Sequence, residues 1–422
     1  MAVQSSHVRV SSELTTQSRR LKIMHSTPPR KRKTLSPNKE LDRKRLKISS
    51  DLPDELIEEE ILPRLPIKSV VRLKSVCKSW LSLFSGPQFV QHHNAYQNPS
   101  DHDCLVADRT DYIVTFSRYQ QTFALRGRQF NHLIGSAKGL VCVCCQNIVW
   151  LWNPAIRQSK EFHLPPLGYN CLIRAGFGFD HVTNDYKVAI CYRSIGVSHL
   201  YYAVYSSHSD LWIHGQFDDV DFKIHTRKFK RSRTPNTMVK DCPYWTCLTS
   251  VKSDKDKYKV ILSLSALKFD ATSNKFKLLP EFCADFSYQK IFTVVDMKDL
   301  LTLMAYDPCT TGRLEIYSLD EDKGCDGGWS MMYRIGPFKE FMRFEHLKQG
   351  FRYGDDFLFY EYGNIHSYDH KTDTSKCIPV TEPSFNVCFT YTPSLVFLQG
   401  MKSIYSENQI SPPLCRESRV IN

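Results

Sequence analysis

No run of apolar residues in this chain reaches the length of about 20 that a membrane helix needs. The best candidate, Gly139 to Trp152, is interrupted by Gln146 and Asn147. The first twenty residues lack the apolar core of a secretory signal. The 15 cysteines are therefore expected to be reduced thiols of the cytosol or nucleus. Glycine is scarce, with 18 present against about 30 at average usage. There is no P-loop, Gly-x-Ser-x-Gly elbow, His-Glu-x-x-His pair or EF-hand loop, so these motif-borne chemistries have no carrier here. Zinc spacing is missing too. Cys142, Cys144 and Cys145 crowd an apolar run whose side chains alternate sides, and Cys242 and Cys247 have no second pair near them. The cysteines read as small buried hydrophobes. Asp210, Asp218, Asp219 and Asp221 near His214 read as a solvated loop, so no metal and no cofactor is expected.

What the chain does have is charge of one sign, in one place. Its net charge is +12, and residues 1–50 carry 13 Lys/Arg against Glu13, Glu40 and Asp42. The remaining residues are nearly neutral. This N-terminal stretch is rich in Ser, Thr, Pro and basic residues and shows no hydrophobic period, so it is expected to be disordered. Arg30, Lys31, Arg32 and Lys33 form one cluster; Arg43, Lys44, Arg45 and Lys47 form another, nine residues on. The pair resembles a bipartite nuclear localisation signal, which implies a nuclear protein with the cytoplasm as a second compartment. The alternative is an unspecific solvated charge run. No aromatic residues interleave with these charges to stack on bases, so nucleic acid is not an expected partner.

Helical signals begin abruptly at residue 51. Asp51 can cap a helix with Pro53 in its first turn, and Leu52, Leu56, Ile57, Ile61 and Leu62 fall at helical spacing. Pro63 and Pro66 break it. Ile67, Val70, Val71 and Leu73 mark a second helix; Val76, Cys77, Trp80, Leu81, Leu83 and Phe84 mark a third, stopped near Gly86-Pro87. Gln88 to Tyr96 adds a short helical turn, with His92 and His93 near its end. Three helices this short cannot bury all their apolar residues against one another. The surplus meets either a partner or the domain that follows.

The residues DLPDELIEEEILPRLPIKSVVRLKSVCKSWLSLFSGPQFVQHH, 51–93, resemble the plant F-box pattern almost throughout. The match includes Leu52-Pro53, Glu55-Leu56-Ile57, Leu65-Pro66 and the run from Leu73 to Trp80. The resemblance implies docking on a Skp-family adaptor and, through it, on a cullin. It implies contacts from Leu52, Pro53, Leu56, Ile57, Leu62, Leu65, Pro66, Leu73, Val76, Cys77 and Trp80. Some of these must instead fill the module's own core, and spacing does not divide them.

From about residue 100 to 405 the texture is β: short apolar runs between Gly, Asn, Asp, Pro and Ser. They are Tyr112–Phe116, Leu140–Cys144, Ile148–Trp152, Tyr186–Tyr192, Tyr201–Tyr205, Tyr258–Leu264, Leu300–Tyr306, Leu314–Tyr317 and Phe357–Tyr360. Three segments repeat a pattern of apolar strand, Asn or Asp, polar turn, and Leu/Ile-Pro ending: 151–165, 267–280 and 366–379. Two others, 202–212 and 314–329, run from Tyr-Ser through a polar loop to Trp. The markers Asn153, Tyr205, Asp270, Tyr317 and Asp369 stand 52, 65, 47 and 52 residues apart, near the period of about 50 of kelch-like blades. About six blades would fit. The basic stretch His225 to Lys240 falls in the longest interval and reads as a protruding loop, either solvated or facing an acidic partner. Gly176-Phe177-Gly178 reads as a tight turn.

Kelch blades usually carry Gly-Gly, found here only at Gly327-Gly328. The region is more similar to the plant F-box-associated domain, through Trp152-Asn153-Pro154, Leu164-Pro165, residues 176–188, 363–369 and 391–398. The expected layout is a disordered basic tail (1–50), an all-α three-helix F-box module (51–91), an all-β kelch-like propeller that binds the target (92–405), and a tail (406–422). The function implied is a non-enzymatic substrate-recognition subunit of a Skp-cullin-F-box ubiquitin ligase, which holds a target protein for ubiquitination. The alternatives are a propeller enzyme and a nuclear nucleic-acid-binding protein.

Overall fold

A computed structural model of the chain describes residues 53–96, 104–108, 112–117, 120–126, 132–145, 147–166, 172–192, 200–217, 237–252, 260–282, 291–297, 299–307, 313–319, 328–335, 350–353, 356–361, 364–369, 372, 374–378 and 387–404. Contacts divide the chain after Asp51. The expectations for the tails, Leu52, both basic clusters and most of the basic stretch 225–240 lie outside the described residues.

The helical module opens with α1 (Asp54–Leu56), which runs on through a wide turn, Ile57–Ile61, and a tight one, Leu62–Arg64. Its first helical residue follows Pro53; Asp51, the expected cap, lies outside the described residues. Proline fixes φ near −52°, and with ψ at 138° it stands extended, while its carbonyl accepts from the Ile57 amide at 3.2 Å. Pro66 enters α2 (Ile67–Leu73) the same way. α3 (Lys78–Ser85) starts after Cys77, so Val76 and Cys77 lie in the connecting turn rather than in the third helix. The expected short turn is a full helix, α4 (Pro87–Tyr96): proline is favoured at the first position, and Phe89 and His93 bury one turn apart.

Among the described residues, six four-stranded antiparallel units follow. The first holds β1 (Cys104–Asp108), β2 (Tyr112–Ser117) and β3 (Gln120–Arg126). The second is β4 (His132–Ala137), β5 (Leu140–Cys145), β6 (Ile148–Asn153) and β7 (Gln158–His163). The third is β8 (Leu172–Asp180), β9 (Asp185–Tyr192), β10 (Tyr201–Ser206) and β11 (Leu211–Gln216). The fourth is β12 (Thr237–Val239), β13 (Cys242–Lys252), β14 (Val260–Asp270) and β15 (Lys275–Leu278). The fifth is β16 (Ile291–Met297), β17 (Leu300–Asp307), β18 (Arg313–Leu319) and β19 (Trp329–Ile335). The sixth is β20 (Gly350–Tyr353), β21 (Asp356–Glu361), β22 (Asn364–Asp369) and β23 (Thr374–Ile378). One parallel pairing, Asp296 to Phe351, joins the last two. β24 (Val387–Tyr391) then pairs with β1 and completes the first unit, and β25 (Lys402–Ser403) adds to the edge of β7.

The inner strands meet around a circle. β4 lies against β8, β8 against β13, β12 against β16, β16 against β20, β20 against β24, and β24 against β4. The architecture is therefore a helical module followed by a β-propeller whose last strand closes the ring. Eight of the nine apolar runs named from the sequence lie within these strands, and the ninth, Tyr258–Leu264, is described from Val260 on, in β14.

Each marker of the sequence repeat sits in the third strand of a blade, and the two repeat types alternate around blades two to six. In the Asn/Asp type the side chain holds the turn. Asn153 Oδ1 accepts from the Ala155 amide at 3.0 Å, Asp270 Oδ1 from the Thr272 amide at 3.0 Å, and Asp369 Oδ2 from the Thr372 hydroxyl at 2.7 Å. Left-handed residues follow at Arg157, Asn184, Asp210, Asn274 and Asp299, with φ of 54–62°. These are positions where glycine is the default, and mostly Asn or Asp fills them, which accounts in part for the shortage of glycine.

Gly176-Phe177-Gly178 is not a turn; it lies inside β8. A Cβ on Gly176 would stand 2.6 Å from the Trp245 ring and 2.7 Å from Pro243. The glycine lets the next blade approach closely.

Candidate functional site

The helical module buries one set of apolar residues and exposes another. Leu62, Ile67, Val70, Phe84 and Phe89 form its core, with Ile57, Leu65, Leu73 and Trp80 partly buried against them. Phe84 packs edge-on to Trp80 and Phe89, with ring centroids 5.8 and 4.9 Å apart. His93, near the end of α4, is buried, and its Nε2 lies 3.0 Å from the Leu65 carbonyl, tying α4 to the entry of α2. The cluster also holds Leu395, Ala155 and Ile156 of the propeller. Of the two destinations open to the surplus apolar face, the structure uses the second for these residues: they pack on the domain that follows.

The rest face solvent. Leu56 is 48% exposed, Val76 63%, and Pro53, Pro66 and Cys77 are exposed as well. The expected contact residues thus separate into Pro53, Leu56, Pro66, Val76 and Cys77 outside, Leu62 in the core, and Ile57, Leu65, Leu73 and Trp80 between. Two exposed residues were absent from the expectation: Ile61 at 42% and Leu81 at 49%. Leu81 follows Trp80, and one residue turns the helix by about 100°, so a neighbour of an inward Trp points away from the core. The first helix adds Asp54, Glu55, Glu58, Glu59 and Glu60 to the surface, where Glu60 pairs with Arg64 at 2.6 Å.

The propeller has two distinct sides. Turns joining the first and second, and the third and fourth, strands of a blade emerge on the side that carries the helical module. Gly139 and Asn153 both meet Ser394 there, and the Asp180 and Asp270 turns meet through Thr272. The strand ends that lead to the connections between second and third strands and between blades point to the opposite side; residues 193–199, 218–236 and 336–349 lie outside the described residues.

Near the ring's inner turns, Asp180 is buried and accepts from the Val182 amide at 2.9 Å, Thr183 at 2.6 Å and Thr272 at 3.1 Å, with Lys187 Nζ at 3.5 Å. Burial opposes its charge, but these donors and the Lys187 ammonium outweigh burial and hold its pKa at about 2. A folded-state pKa below the ordinary 3.8 contributes stability above that value, and the contribution is lost as pH falls through about 2. The expected result is an unfolding free energy that declines between about pH 4 and pH 2, with a shallower decline in Asp180→Asn. Denaturant titrations at stepped pH measure it, and equal slopes for the two proteins would refute the assignment.

Cys142, Cys144, Cys145, Cys191, Cys247 and Cys388 are buried, and burial pushes the Cys247 thiol up to about 12. A thiol held there is a poor nucleophile. Among the described residues, no three His, Cys, Asp or Glu side chains converge as a metal site. Asp210, one of the loop carboxylates, accepts from the Tyr205 hydroxyl and pairs with Lys160 at 3.2 Å. It joins two blades; Asp218, Asp219 and Asp221 lie outside the described residues. No helix among the described residues is long and apolar enough to cross a membrane.

A helical module with an exposed apolar face, seated on a closed propeller, defines an F-box protein with a β-propeller as its second domain. Residues 49–92 match the F-box domain and residues 127–398 match the F-box associated beta propeller domain. The chain belongs to the F-box-associated β-propeller family. It is similar to an F-box/kelch-repeat protein of Arabidopsis thaliana, 25% identical over 318 residues that cover 69% of this chain and 82% of the relative. It is 30% identical to another F-box protein of the same plant over 166 residues, 39% of this chain and 42% of that one, so the match spans less than half of the second relative. Among solved structures, the Dos1 propeller aligns with a TM-score of 0.33 at 13% identity, covering 71% of this chain and 73% of that one.

Proposed function

We propose that this protein is the substrate-recognition subunit of a Skp-cullin-F-box ubiquitin ligase. The observation that carries the reading is the division of the helical module: its core is complete and one flank is covered by the propeller, yet Leu56, Ile61, Val76 and Leu81 stay in water. Exposed apolar residues on a small, otherwise satisfied module are what a partner would cover. The partner in this reading is a Skp-family adaptor, which links to the cullin. The target would be held on the side of the propeller away from the module, by the connections there that are longest in sequence.

Catalysis in this reading is proximity. The chain raises the effective concentration of target lysines near an activated ubiquitin carried elsewhere, and no residue of its own makes or breaks a bond. Capture of the purified adaptor by the full chain tests the proposal, and failure of the intact, folded chain to bind would end it.

The two basic clusters, Arg30–Lys33 and Arg43–Lys47, serve nuclear import in this reading. A fluorescent fusion should concentrate in nuclei. Alanine at Lys31, Arg32, Lys44 and Arg45 should redistribute it to the cytoplasm, and an unchanged distribution would remove the signal from the proposal.

A further inference from the structure

We infer that residues 392–398, the segment after the closing strand, form a strap that fixes the helical module in one orientation on the propeller, with Leu395 and Asn153 as its positioning residues. Tyr391, the last residue of β24, lies directly opposite Cys104, the first residue of β1. The chain therefore leaves the propeller where it enters from α4, and from there it crosses the turns of the second blade.

Two features lock its path. The Asn153 side-chain amide is buried and donates to the Ser394 carbonyl at 3.1 Å and to the Val396 carbonyl at 2.8 Å. Its Oδ1 is held in turn by the Ala155 amide at 3.0 Å. One amide thus satisfies strap and turn together, an arrangement that specifies a single geometry. Gly139 supplies the second feature. Its φ is +79°, and a Cβ there would stand 1.9 Å from Ser394 Oγ, so the strap occupies space that only glycine leaves open.

Between those fixed points Leu395 is fully buried, in one cluster with the module core residues Leu62, Phe84 and Phe89 and with Ile156 of the blade turn. Beyond the strap the chain is tied back to the same blade, through Lys402 pairing with Ser159 and the Ile404 amide donating to Arg157 at 3.3 Å. Both ends of the strap are anchored to the propeller, and Leu395 in its middle packs into the module. Its role is then to set the angle between module and propeller. Ala155 and Ile156 of the blade turn share that cluster, so without the strap the module would keep only part of its described contact with the propeller.

The consequence for ubiquitin transfer rests on the proposed ligase reading. A fixed module presents a limited set of lysines to the activated ubiquitin; a loose one sweeps many.

The test uses the full chain with spin labels on unnatural residues at Glu58 and Lys275, and reads their separation by pulsed EPR. One narrow distance distribution is expected for the wild type. Leu395→Ser and Ile156→Ser should each widen it at least about twofold, with propeller melting and adaptor capture unchanged. Ile156 lies in a turn outside the sheets, so it gives the reading even if Leu395→Ser misfolds. A broad wild-type distribution, or variants as narrow as the wild type, would overturn the strap. In a reconstituted ligase, self-ubiquitination should spread to additional lysines in the same variants, and an unchanged lysine set would overturn the consequence. Failure of adaptor capture would instead refute the ligase reading and leave the EPR result standing.

Discussion

Val76→Asp combined with Leu81→Asp should lower affinity for the Skp-family adaptor by about 100-fold or more, on the order of 3 kcal/mol, while the thermal transition stays in place. Both positions are exposed. Val76 sits in the turn before α3 and Leu81 on the outer side of that helix, and neither belongs to the buried cluster. A carboxylate at either position stays hydrated in the free protein and is desolvated only when a partner covers it. The cost therefore falls on binding alone. The contrasting variant is Phe84→Ala. Phe84 is wholly buried between Trp80 and Phe89, so its truncation should destabilise the module by about 3–5 kcal/mol and lose binding with the fold. Calorimetric titration against the adaptor, paired with hydrogen exchange on the module, separates the two outcomes. Full affinity in the double Asp variant would show that the adaptor uses another surface.

The helices and the blade period were legible because they depend on local pattern. Proline placement and 3.6-residue spacing marked α1 to α3, and recurring Asn, Asp and Tyr-Ser positions marked the third strand of successive blades. What the pattern could not carry was the direction in which each residue faces. Leu62 and Val76 look alike as members of an F-box motif, yet one is core and the other is surface, because the propeller supplies part of the module's cover through Leu395 and Ile156. That cover comes from residues about 60 to 340 positions away in sequence. The glycines of β8 were misread for the same reason. Glycine signals a turn when only its backbone freedom is considered, and the ring of Trp245, a neighbour from the next blade, is invisible to local reading. The strap, too, was seen only as a loose motif at 391–398, since its partners Gly139 and Asn153 lie more than 200 residues earlier.

Trp212→Ala and Trp329→Ala should each destabilise the propeller by about 2–3 kcal/mol, and Trp→Phe at either site by about 1 kcal/mol. The two kinds of sequence repeat explain each other here. Trp212 Nε1 donates to the His163 carbonyl at 3.1 Å, and Trp329 Nε1 donates to the Pro280 carbonyl at 3.0 Å, each across 49 residues. Trp212 opens the fourth-strand side of the third blade and Trp329 that of the fifth. Their acceptors lie at the Leu-Pro endings of the second and fourth blades. The Tyr residues of the same hairpins pack on aromatic rings of those neighbours: Tyr205 stacks on Phe162 at 3.8 Å, and Tyr317 meets Phe282 edge-on at 4.6 Å. The Tyr-Ser…Trp hairpin and the Leu-Pro ending are thus the two halves of one blade-to-blade joint, used twice around the ring. Phenylalanine keeps the ring contact and loses only the indole donor, which leaves a carbonyl without that partner and sets the smaller cost. The joint makes a sharper statement than either single variant. Trp212→Ala with Phe162→Ala should be non-additive by about 0.5–3 kcal/mol, whereas Trp212→Ala with Phe282→Ala, which belong to different joints, should add. Denaturant unfolding of the three single and two double variants reads both couplings. Additivity in the first pair would mean that the blades are held by their strands alone and that the alternating repeat has another cause.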